Sequence, residues 1–98
     1  MEQIEAAVKK TIGADVVKVE TKRRTTWNGE GMDILMDFAV LWTRPSNKDR
    51  HAGDDFGAHS GCVHKKNDGK EATNIFWGHY DLTLDEAEQV YKEKRERL

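Results

Sequence analysis

The segment MDILMDFAVLWT, residues 32–43, constrains this chain more than any other. Met32, Ile34, Met36, Phe38, Val40 and Trp42 fall on one parity. Asp33, Asp37 and Thr43 fall on the other, with Leu35, Ala39 and Leu41 between them. Side chains of a strand alternate between faces, so this pattern predicts a long strand with one strongly apolar face. Upstream, DVVKVETKRRTTW places Val17, Val19, Thr21, Thr25 and Trp27 on one parity, and Lys18, Glu20, Lys22 and Arg24 on the other. That is a second strand. Between them lies NGEG, residues 28–31, whose Asn and Gly tolerate positive φ. A four-residue turn sets Val19 opposite Val40, Lys22 opposite Asp37 and Trp27 opposite Met32. A two-residue turn would set Glu20 against Asp37, a like-charge pair that destabilises, so the four-residue turn is preferred.

The hairpin is flanked by further elements. Ile4, Ala7, Val8 and Ile12 share a helical spacing, and Gly13 suits a left-handed cap, which predicts a helix over residues 2–12. TNIFWGHYDL reads as a strand, with Ile75, Trp77 and His79 on one face and Phe76, Tyr80 and Leu82 on the other. TLDEAEQVYKEKRERL reads as a closing helix, with Thr83 and Glu86 spaced as a capping box. Its acidic residues come early and its basic residues late, which suits the helix dipole. Residues 45–72 show no sustained period and read as a long polar insertion, with at most a short strand around Cys62 to Lys66. The expected fold is α+β: a three-stranded antiparallel sheet with both helices on the Met32–Trp42 face.

Size and composition narrow the function classes. Ninety-eight residues suffice for a single domain. The net charge of −2 gives no global basic field for nucleic acid. One cysteine precludes an internal disulfide, and no apolar run is long enough for a membrane span. The default expectation is a soluble protein of a reducing cytoplasm.

Chemistry concentrates in HAGDDFGAHSGCVH, residues 51–64. His59, Cys62 and His64, with His79 as a fourth, are metal-ligand types, but H-x-x-C-x-H lacks the paired motifs of known zinc sites. Nothing supplies an orienting third group or an oxyanion site for Cys62 as a nucleophile. VETK, residues 19–22, has an E-x-K form used by metal-dependent nucleases, yet a helix stands where those enzymes need an acidic strand. The element order resembles that of double-stranded RNA-binding domains, but the acidic start of the last helix, TLDEAE, would repel phosphates there. No cofactor loop or catalytic constellation is present, so neither enzyme nor cofactor is expected. The basic set of Lys22, Arg23, Arg24, Arg44, Lys48, Arg50, Lys65 and Lys66 keeps a nucleic-acid module as the alternative, and the His/Cys cluster keeps a metal-bound one.

A binding role fits best. Helices on one side of a three-stranded sheet leave the other side wet, where Leu35, Leu41 and one aromatic set of the last strand would show. The expected contact residues are Leu35, Leu41, Arg50, His51, Asp54, Asp55, Phe56, Lys65 and Lys66. A protein partner or a second copy of the chain is the natural occupant. The stretch WNGEGMDILM, residues 27–36, resembles the W-N-G-x-G-M hairpin of a small phage-encoded family that includes anti-defence and anti-CRISPR proteins. That resemblance implies a cytosolic mobile-element protein that blocks a bacterial defence complex. The long charged C-terminal helix departs from the family's pattern, so no binding residue is carried over.

Overall fold

The computed structural model describes residues 2–23, 33–45, 54–66 and 68–98. Six elements follow one another: α1 (Glu2–Ile12), β1 (Asp15–Arg23), β2 (Asp33–Pro45), β3 (Asp54–Lys65), β4 (Glu71–Leu82) and α2 (Leu84–Glu96). The strands form one antiparallel meander in the order β1-β2-β3-β4. Four strands therefore replace the three expected. The added one, β3, runs through the stretch read as a polar insertion and lies in the interior of the sheet. Its sequence DDFGAHSGCVHK hides it. A strand buried on both faces need not alternate apolar with polar residues. Here small residues leave room for large neighbours: a Cβ on Gly57 would strike the Trp42 ring, and one on Gly61 the Phe38 ring.

The hairpin register is the one expected, with Val19 opposite Val40 and Lys22 opposite Asp37. The expected turn, residues 28–31, and the Trp27–Met32 pair lie outside the described residues. One residue of β1 breaks the alternation. Val16 pairs with Trp42 and Lys18 with Leu41, so Val17 is extra and is left exposed.

The two helices lie on opposite faces of the sheet, which overturns the expectation that both would cover one face. Ile4, Val8 and Ile12, spaced four apart on α1, pack against Phe38, Val40, Trp42 and Val63. Ala87 and Tyr91, four apart on α2, pack against Ala39, Leu41 and Ala58. Both parities of β2 are thus buried. Each of its large apolar side chains removed from water contributes about 1.5–3 kcal/mol. Leu35 does not face α2 with Leu41. Ile34 pairs with His64 and Met36 with Val63, so Leu35 is an extra residue, and it packs half-buried against the α1 core.

The helix ends form as the sequence predicts. Gly13, at φ 73°, stops α1 and donates to the carbonyls of Val8 and Lys9. At the start of α2, Glu86 N donates to Thr83 Oγ1 at 3.2 Å, and Thr83 N donates to Glu86 Oε1 at 3.0 Å. Lys18 and Glu88, 3.2 Å apart, link β1 to α2 across the surface. No helix among the described residues is long and apolar enough to cross a membrane.

Candidate functional site

The site begins with a buried pair. Trp42 projects from β2 toward α1, and His59 projects from β3 on the same face. Trp42 Nε1 donates to His59 Nδ1 at 3.0 Å. Indole nitrogen can only donate, so Nδ1 must carry a lone pair and the neutral imidazole holds its proton on Nε2. His59 is 2% exposed. Burial first, then the charges of Lys94, His79 and Arg44, push its pKa down to about 4. The ring is therefore neutral at physiological pH and keeps one donor, Nε2–H. Among the described residues nothing accepts from it.

The seat for this ring is Gly78. It pairs with His59 across β3 and β4, and a Cβ there would collide with the imidazole. Tyr80 then meets His59 edge-on, with ring centroids 4.7 Å apart, and Trp42 at 5.7 Å. Arg44 closes the group. Its guanidinium lies 5.1 Å from the Trp42 ring centroid and 5.5 Å from that of Tyr80. It also donates to the Ile12 carbonyl at the end of α1 at 3.0 Å, and stands 3.4 Å from Asp81 Oδ1.

Strand β4 is an edge of the sheet, and its irregular register sets what it shows. Gly61 pairs with Ile75 and His59 with Gly78, so Phe76 and Trp77 together face the single residue Ser60. A second shift follows, at Tyr80 and Asp81, where Asp81 adopts φ 57°. These two extra residues break the simple alternation read from the sequence. Ile75 joins the α1 core, Tyr80 meets the Trp42–His59 pair, and Leu82 packs on the α2 side. Trp77 is left 81% exposed, beside Phe76 at 46% and Tyr80 at 49%. With His59 and Gly78 they line an open-sided hollow of about 450 Å³. The sequence did carry a signal for this surface. Large aromatic residues occur on both parities of one strand, more than one covered face can bury.

The contact residues expected from sequence do not gather here. Leu41 is fully buried beneath α2 and offers no surface, contrary to expectation, because the second helix covers that face. Leu35 is half-buried toward α1. Arg50 and His51 lie outside the described residues, as do Lys48, Arg24 and the WNGEGM motif. Asp54 and Asp55 open β3, and Phe56 tucks half-buried against the α2 core. Asp55 is 3% exposed, and its Oδ1 has no hydrogen-bond partner among the described residues. Lys65 and Lys66 lie at the other end of β3, about 33 Å from Asp55 at a strand's rise per residue. There they share one end of the sheet with Lys22 and Arg23. Lys22 is engaged with the Leu98 carbonyl at 3.1 Å.

The metal-ligand types also separate. Strand alternation puts His59 on the α1 face, and Cys62 and His64 on the α2 face. His64 Nδ1 contacts Asn74 Nδ2 at 3.3 Å, while His79 is exposed on β4. Among the described residues no three His, Cys, Asp or Glu side chains gather in a group that could hold a metal ion. No protein-family model, no curated protein and no solved structure matches the chain.

Proposed function

We propose that this chain is a non-enzymatic binding domain that docks a protein partner through the aromatic side chains of β4. In its specific form it is a phage or mobile-element inhibitor that occupies the surface of a bacterial defence complex. The exposure of Trp77 between Phe76 and Tyr80 carries the docking reading. Aromatic residues are enriched at protein interfaces and dominate their binding energy. Here Tyr80 packs against the buried Trp42–His59 pair, so part of the surface is ordered before binding. The mobile-element origin is supported by the WNGEGM resemblance alone.

The test is capture from bacterial lysate with tagged wild-type protein and Trp77→Ala, each with and without nuclease. The expected result is a defence-complex subunit that wild type retains after nuclease treatment and inhibits when purified, and that Trp77→Ala loses. Capture that disappears with nuclease would instead assign the basic end of the sheet, with Arg23, Lys65 and Lys66, to nucleic acid. Capture indifferent to Trp77→Ala would overturn the docking surface.

A further inference from the structure

We propose that the hollow on β4 receives a proline-rich, extended segment of the partner, clamped between Trp77, Tyr80 and Phe76 and held by a hydrogen bond from His59 Nε2–H to one of its backbone carbonyls. This inference rests on the protein-docking reading and names the chemistry of the partner.

Three observations converge on that occupant. The hollow is walled by aromatic rings and open along one side. Small ligands need most of their surface enclosed, which a hollow beside an 81% exposed Trp77 does not provide. A chain segment lying across it needs no such enclosure. Second, the side-chain polar atoms here are biased toward donation. The Trp77 indole only donates. His59 has spent its acceptor on Trp42 and offers Nε2–H alone. Only the Tyr80 hydroxyl works in both directions. A proline-rich segment is the complementary peptide, because proline has a carbonyl acceptor and no N–H. Third, the floor of the hollow is already fixed. His59 is seated on Gly78 and bonded to Trp42, and Tyr80 packs edge-on against it. A floor set before binding suits a polyproline II segment, which is itself stiff and loses little freedom on docking.

An ordinary extended strand fits less well. It would add to the sheet by pairing with the free edge of β4, and the two register shifts in that strand interrupt the ladder it would need. A side-chain clamp needs no such ladder.

The experiment titrates purified full-length protein with an acetylated hexaproline amide and, as control, a Gly-Ser peptide of equal length. The part of the tryptophan emission change that is absent in Trp77→Ala reports on Trp77, and the imidazole Nε2 resonance of His59 reports on the hydrogen bond. The expected result is saturable change in both signals with hexaproline and none with Gly-Ser. Trp77→Ala, an exposed position, should weaken binding about tenfold or more. Gly78→Ala, which unseats His59, should remove the Nε2 response; folding of each variant is checked by circular dichroism. Absence of any hexaproline response in folded wild-type protein overturns the proposal. So does binding that leaves the His59 signal unmoved. If Trp77→Ala still abolishes partner capture from lysate while hexaproline fails, the docking surface stands and only its proline-rich occupant is rejected.

Discussion

Trp42 gives its indole hydrogen to His59 at 3.0 Å, from one interior strand to the next, with both side chains buried. The bond holds two large residues in fixed orientation and settles which imidazole nitrogen carries the proton. Replacing Trp42 by Phe keeps much of the apolar bulk but leaves Nδ1 without its donor. A buried group deprived of its partner costs about 1–3 kcal/mol. Urea unfolding of Trp42→Phe should show a loss in that range, and the His59 ring should populate both tautomers by nitrogen NMR. Unchanged stability would mean that the bond contributes nothing net.

The same histidine makes stability depend on pH. Its folded-state pKa is lowered to about 4 from 6.5, by burial and by the charges of Lys94, His79 and Arg44. Between those values the unfolded chain binds the proton and the native chain does not. The stabilisation is therefore fully present above about pH 6.5 and is lost as pH falls toward 4. It amounts to about 3 kcal/mol. Comparing urea midpoints at pH 7 and pH 4 for wild type and His59→Gln isolates it, since Gln keeps an acceptor for Trp42 and does not titrate. The wild-type advantage should shrink with acid; a constant difference would refute the assignment.

Gly57 should tolerate nothing larger. A methyl group there would meet the Trp42 ring and the His79 carbonyl, neither of which is the free end of a flexible chain. Gly57→Ala is expected to cost about 3 kcal/mol by overpacking, read as a lower thermal midpoint. Gly69→Ala offers the contrast. Its Cβ would meet nothing, and only the positive φ of 83° opposes it, at about 1 kcal/mol.

Thr83 opens α2 by accepting from Glu86 N while Glu86 reaches back. Thr83→Ala should destabilise the protein by about 1 kcal/mol. Because Ala87 and Tyr91 of α2 cover Leu41, the loss should appear as global unfolding and not as fraying of the helix alone. Hydrogen exchange at Ala39 and Leu41 distinguishes the two.

Local signals made most of the elements legible in the sequence. The α1 stripe, the Gly13 stop, the Thr83–Glu86 box and the β1–β2 register all rest on residues near one another in the chain, and all four are present in the structure. Strand β3 was not legible because its identity as a strand depends on its neighbours. Gly57 and Gly61 are small because Trp42 and Phe38 lie over them, and no window on β3 alone contains that information. The missing strand carried a second error. With both parities of β2 buried, α2 had to lie opposite α1, and Leu41 passed from expected contact to core. At the site, the aromatic excess of β4 was visible, but which rings are exposed was fixed by two extra residues in its pairing with β3.

The seat of α1 has a consequence for how the chain comes into being. Helix α1 packs on Phe38, Val40, Trp42 and Val63, touches Ile75, and reaches Glu71 through the Gln3 side chain at 2.7 Å. Most of its partners are therefore synthesised long after it, and an isolated helix of eleven residues is marginal in water. During synthesis α1 must wait with Ile4, Val8 and Ile12 uncovered until β2 and β3 arrive. A chain truncated before residue 33, and so lacking β2 and β3, should keep that apolar stripe exposed and be a target for chaperones and proteases.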